Sequence, residues 1–169
     1  MPNQPVREAL ERAQRLFRDR PSVARKSVPA TAVWHDGLAC EISGPEGQRV
    51  LTDMPKPMGG GDAGPSPGWL LRASLASCTA TAIAMRATMF GVDLRALEVT
   101  VHADTDMRAA VGIDGTSLAL SGMRMAVKII ADNALEGQLR EIVEWAASQS
   151  TVSATLREGR TVSPEVTVS

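Results

Sequence analysis

The sequence predicts an α+β domain in which short strands surround one long, apolar helix. Three observations carry that expectation. The candidate elements run in the order helix, three strands, long helix, two strands, helix, strand. The stretch from Pro67 to Phe90 is apolar on almost every side and is entered through a glycine-rich loop, Gly59-Gly60-Gly61. Asp36-Gly37 stands between two β-prone runs, which is a hairpin signal.

Each element has its own local reason. Pro5 to Arg18 reads as a helix, because Val6, Leu10, Ala13 and Phe17 share one stripe and charges fill the other faces. Arg20-Pro21-Ser22 ends it. Ser27 to Trp34 and Leu38 to Ile42 are predicted as hairpin strands, with Cys40 opposite Val33 across a two-residue turn. Gly44 to Gly47 marks a second turn, and Gln48 to Thr52 a third strand. Met54 to Gly64 is rich in proline and glycine and is expected to be irregular. Ser66 suits the N-cap and Pro67 the first position of the long helix. Gly91 suits the position just past its end.

The second half is read in the same way. Leu97 to Ala103 alternates as a strand. Asp104 to Gly115 is polar and loop-like. Leu118 to Ala131 contains a further strand. Leu135 to Ser148 is an amphipathic helix turning Leu139, Ile142, Val143 and Ala146 inward. Thr151 to Leu156 has no decisive pattern, and Thr161 to Val168 reads as a last strand. No internal repeat and no dividing linker is present.

Composition removes several classes of function. The 169 residues are 44% hydrophobic and 22% charged, as in a globular domain with a true core. Eighteen Lys and Arg face nineteen Asp and Glu, so there is no general attraction to nucleic acid or anionic membrane. Three Trp, two Phe and no Tyr make a base-stacking platform improbable. Two cysteines do not form a secreted disulfide framework. The N-terminus is charged and lacks the apolar core of a signal peptide. Arg72, Arg86 and several hydroxyl residues interrupt the long apolar run, so a buried helix explains it better than a bilayer span. A cytoplasmic protein with no cofactor is expected.

Cys78 lies in the middle of the long helix. A thiol placed there is either an inert packing group or a protected nucleophile. Its helical neighbours Ser74, Leu75, Thr81 and Ala82 carry no charge, so an activating charge has to come from elsewhere in the fold. Cys40 reads as an ordinary strand position. His35 and His102 read as structural, and no Cys or His pair has metal-ligand spacing. The triple glycine lacks the GK[ST] ending of a phosphate loop. A helix apolar nearly all round is covered by protein on all sides, and in so short a chain a second subunit is a reasonable source of that cover.

The loop, cap, helix and cysteine together resemble the OsmC/Ohr family of osmotically induced and organic-hydroperoxide-resistance proteins. The family run is close to N-P-E-x-L-x-A-x-x-A-x-C. Here it reads Ser66-Pro67-Gly68-Trp69-Leu70-Leu71-Arg72-Ala73-Ser74-Leu75-Ala76-Ser77-Cys78. The resemblance extends over most of Ser27 to Ser169, which leaves residues 1–25 as an N-terminal helical extension before an OsmC-like domain at 26–169. It implies an intertwined homodimer with the long helices at its centre and the thiols facing pockets at the interface. It also implies reduction of organic hydroperoxides by a peroxidatic cysteine, a resolving cysteine, an Arg, a Glu and an external thiol or dithiol reductant.

Carried over by position, Cys78 matches the nucleophile. Gly68 stands in place of the family Glu. His35 stands in place of the Arg, in the turn Trp34-His35-Asp36-Gly37. Ser150, opening Ser150-Thr151-Val152-Ser153, stands in place of the resolving cysteine. Without that Arg a thiolate loses its main positive neighbour, and an imidazole carries charge only when protonated. Without a resolving thiol, a sulfenic acid needs an outside thiol. Two activities are therefore expected as alternatives. One is a one-cysteine peroxidase with Cys78 as nucleophile and His35 as activator. The other is a non-catalytic member that binds a small apolar ligand in an interface pocket lined by Trp34, Trp69 and Met85.

Overall fold

A computed structural model describes residues 3–168. The order is α1 (Gln4–Asp19), β1 (Thr31–Trp34), β2 (Cys40–Ser43), β3 (Arg49–Thr52), α2 (Pro67–Met89), β4 (Leu94–Asp104), β5 (Ser121–Ala131), α3 (Glu136–Gln149) and α4 (Thr151–Glu158), with single 3-10 turns at Pro21–Ala24, Lys56–Met58 and Ala109–Val111. β1, β2 and β3 form one antiparallel sheet, and β4 and β5 form a second. The fold class is α+β, as the sequence predicts.

α2 is the longest helix, at 23 residues. Ser66 caps it, its hydroxyl accepting from the Trp69 N–H at 3.3 Å, and Pro67 opens its first turn. Gly91 ends it at φ +70°, a conformation that suits glycine. Two side chains fasten this end. Arg7 of α1 donates from Nε and Nη2 to the Thr88 carbonyl at 3.1 and 2.8 Å. Asn133 donates to the Gly91 carbonyl and accepts from the Asp93 N–H.

The core is one cluster: Ile83 and Ala87 of α2, Val92 behind it, and Ile142 and Ala146 of α3. Leu94, Leu97 and Val99 of β4 and Val127 and Ile129 of β5 pack against it. Leu75, Thr79, Ile83 and Ala87 are the buried stripe of α2, spaced four apart. The opposite side of the helix stays open, with Leu71, Met85 and Met89 exposed, and Trp69 and Phe90 are exposed at its two ends. The chain therefore covers α2 on one side only. Strands do not enclose the helix within one chain, since β1, β2 and β3 pack chiefly on each other.

The glycine-rich loop has a structural origin. Asp53, buried at the end of β3, accepts from the Met54 N–H at 2.7 Å with Oδ1, and from Gly61 and Ala63 at 2.8 and 3.2 Å with Oδ2. The backbone winds so closely around this carboxylate that a Cβ on Gly60 would collide with the Met54 carbonyl. The hydrogen bond from Ala63, with those from Met54 and Gly61, holds the Asp53 carboxyl below its ordinary range.

Four local expectations change. The β1–β2 loop is longer than two residues, with the His35 N–H donating to the Ala39 carbonyl and Ala39 to Asp36. Trp34, not Val33, therefore pairs with Cys40. The Gly37 N–H donates to the Asp36 carboxylate, and the Trp34 Nε1–H donates to the Gly37 carbonyl, which holds the wider turn. Ser27 to Ala30 is not strand. Thr151–Glu158 is helix, because Ser150 caps it. Residues 161–168 form no strand among the described residues: Val162, Val166 and Val168 alternate suggestively but are exposed and lack a neighbouring ladder.

Candidate functional site

Cys78 is half-buried on α2 and opens into a cavity of about 590 Å³ between α2 and the α3–α4 corner. Ser74, Ser77, Thr81, Ala82 and Met85 form its α2 wall. Trp145 and Gln149 of α3, with Ser150, Thr151 and Val152, form the other. α3 runs antiparallel to α2, so Ser150 lies beside Thr79 and Trp145 lies beside Arg86. Hydroxyls accordingly gather at the thiol end, and Met85 and Trp145 form an apolar far end. No ionisable side chain other than Cys78 lines this space.

Ser150 is 3% exposed. Its hydroxyl accepts from the Ser153 N–H at 3.3 Å and lies 3.4 Å from the buried Thr79 hydroxyl. The first two N–H groups of α4, on Thr151 and Val152, have no intrahelical acceptor, and both residues line the cavity. The positive end of a helix therefore borders the cavity into which the thiol opens. This is an uncharged source of positive potential, and a short stretch of sequence with no clear pattern gave no sign of it.

The structure brings Cys78, Met85 and Ser150 together around one cavity. It does not bring the others there within one chain. His35 lies on the β1–β2 loop, with Nε2 3.6 Å from Glu41 Oε2, and lines no part of the Cys78 cavity. Trp34 is 65% exposed and Trp69 is 51% exposed, and neither lines it. Gly68 borders a separate cavity with Met54, Met58, Leu71 and Leu118. Ten residues of helix put it about 15 Å from Cys78 along the axis. A Cβ at Gly68 would meet nothing, so packing does not demand glycine there.

Sequence reasoning missed Thr79, Trp145, Gln149 and Arg86. Trp145 had a faint signal, since it borders the inward stripe of an amphipathic helix. Arg86 had a stronger one, a cation inside an apolar run. Its guanidinium carbon lies over both the Phe90 and the Trp145 ring, 4.4 Å from each centroid. Such a contact contributes about 0.5–2 kcal/mol per ring, depending on burial. Among the described residues no three His, Cys, Asp or Glu lie close enough to hold a metal ion. No described helix is long and apolar enough to cross a membrane.

The arrangement resembles several solved structures. An OsmC-like protein from Mycoplasma pneumoniae superposes with a TM-score of 0.65 at 17% identity, covering 78% of this chain and 88% of that one. An organic hydroperoxide resistance protein OsmC from Legionella pneumophila gives 0.57 at 19% identity, covering 78% and 90%. An organic hydroperoxide resistance protein from Elizabethkingia anophelis gives 0.54 at 18% identity, covering 79% and 89%. At such identities the likeness carries the fold alone. A search of the curated proteins finds no match. The sequence model of OsmC-like proteins matches residues 59–165, more than half of the chain, including α2 with Cys78 and the α3–α4 corner but not the His35 turn. On that match, the chain belongs to the OsmC-like protein family.

Proposed function

We propose that the protein is a one-cysteine thiol peroxidase that reduces organic hydroperoxides at Cys78, in a cytoplasmic response to oxidative stress. The observation that carries this reading is the opening of a half-buried thiol into a cavity with a hydroxyl end, an apolar end and a helix N-terminus at its rim. The Cys78 thiolate attacks one peroxide oxygen. The O–O bond breaks, the alkoxide leaves and takes up a proton to become the alcohol, and the sulfur is oxidised by two electrons to a sulfenic acid. An external thiol then attacks that sulfur, releasing water and forming a mixed disulfide. A second thiol equivalent frees Cys78 and leaves with the first as a disulfide. The helix end at Thr151 and Val152 presents two free backbone N–H groups at the cavity rim to the departing alkoxide.

The proposed working unit is a homodimer. The chain exposes 12216 Å², whereas a compact monomer of its 17.9 kDa exposes about 8,000 Å². Part of the excess lies in the terminal segments, and the open side of α2 and the uncovered β1–β3 sheet supply apolar surface of the kind an obligate interface buries. His35 of a second copy then becomes a candidate neighbour of Cys78, which its own chain does not supply.

A second reading rests on the absence of any charged side chain around the thiol. In it the cavity binds a small apolar ligand and Cys78 only lines it. Turnover of cumene hydroperoxide with dithiothreitol or dihydrolipoamide, compared with Cys78→Ser, separates the two. The peroxidase reading expects turnover that the substitution abolishes. No Cys78-dependent turnover, together with a small molecule retained in native mass spectrometry, establishes the second.

A further inference from the structure

Arg86 stands behind the far end of the Cys78 cavity, against its wall residue Trp145, and among the described residues no hydrogen bond or ion pair holds its guanidinium. Its Nε is buried and has no hydrogen-bond partner among the described residues, and none of their carboxylates forms an ion pair with it. A buried donor without an acceptor is costly. Here the compensation comes from two aromatic faces, Phe90 on α2's own end and Trp145 on α3, each 4.4 Å away. A planar guanidinium can stack on both at once, which a lysine ammonium cannot. Trp145 is also a wall of the cavity, at the end where Met85 stands, while Cys78 lies about 10 Å away along the axis of α2.

We propose that Arg86 is a positioning residue: in contact with both Phe90 and Trp145, it fixes the indole as the end stop of the cavity and so sets the length of the apolar guest that reaches Cys78. The inference rests on the peroxidase reading for its substrate class, a hydroperoxide whose polar head lies at the hydroxyl end and whose alkyl tail points to Met85 and Trp145. The end stop itself is a matter of cavity shape and is read without any peroxide.

The test is the rate at which N-methylmaleimide and N-octylmaleimide label Cys78, followed by peptide mass spectrometry so that Cys40 is counted separately. In this reaction the sulfur adds across the ring double bond, the adjacent carbon takes a proton and nothing is oxidised. With the indole fixed, the methyl compound should react at least about tenfold faster than the octyl compound, since an apolar wall of fixed position discriminates by that order per misfitting group. Arg86→Ala and Trp145→Ala should each bring that ratio to within about threefold, and the double variant should do no more than either, because both remove one wall. Arg86→Lys keeps the charge but loses the plane, and should fall between; it carries the test if the alanine variant does not fold. A ratio that stays at the wild-type value in both Arg86 variants overturns the proposal while leaving the peroxidase reading intact. Failure of Cys78 to react with either reagent sinks both.

Discussion

Ser150 occupies the position where a resolving thiol is expected from the family resemblance, and its surroundings show what the hydroxyl does there. It caps α4 through the Ser153 N–H and meets Thr79 in a buried contact. Ser150→Ala removes the cap and leaves Thr79 unpartnered. A loss of about 1–2 kcal/mol is expected in urea unfolding. A double-mutant cycle with Thr79→Val should show coupling between them, and strictly additive losses would mean that the two hydroxyls do not stabilise one another. Asp53 makes a prediction of its own. Its folded pKa is lowered, chiefly by the Ala63 N–H, so its stabilising contribution is present above the unfolded value of about 3.9 and is lost as pH falls through the lower folded value. Urea midpoints should therefore drop on acidification below about pH 4. Asp53→Ala should flatten that part of the profile, and an unchanged slope would show that other carboxylates govern it.

At the scale of elements, the loop before α2 and the corner after α3 place the site. The loop is held on the Asp53 carboxylate, and its tightest point is Gly60, where a Cβ would collide with the Met54 carbonyl. Gly60→Ala should therefore destabilise by about 1–3 kcal/mol, with backbone rather than a flexible side chain having to move. Gly61→Ala, whose Cβ would lie 3.1 Å from Asp53 Oδ2, should cost less. Thermal unfolding of both distinguishes a folded loop from a loose connector, for which the two changes would be equally mild. Much at this scale was legible. Ser66 and Pro67 start α2, and Gly91 ends it, because capping is local chemistry. The β1–β2 register was not legible, because it depends on the Trp34 Nε1–H reaching the Gly37 carbonyl, a contact that residue spacing does not encode.

Across the whole molecule, the dominant fact is how little apolar surface the chain buries by itself. Phe90, Trp34 and Trp69 are all exposed, and the core cluster is confined to one side of α2. Sedimentation equilibrium should give twice the 17.9 kDa of the chain at micromolar concentration. Charge placed on the open side of α2, for example Met89→Glu, should shift the population toward monomer and lower the unfolding midpoint together. A monodisperse monomer would rule out the dimeric site and any role for a second copy's His35. Removal of α1 should loosen the C-terminal end of α2, since Arg7 is the side chain that holds the Thr88 carbonyl.

The amino-acid order by itself determined the α+β class, the long capped helix, the location of the thiol within it and the family. Each of these follows from periodicity, capping or a contiguous motif, and such signals need no knowledge of distant contacts. Only the tertiary structure decided what the thiol faces. Ser150 and Trp145 stand more than sixty residues from Cys78 in sequence and reach it because α3 packs antiparallel on α2. Helix rise alone separates Gly68 and Trp69 from the thiol, although the motif sets them near it in the chain, and Trp34 and His35 stay on the β1–β2 hairpin, outside the cavity. A helix translates sequence distance into about 1.5 Å per residue along one line, whereas packing of one helix on another brings together whatever lies on the touching faces.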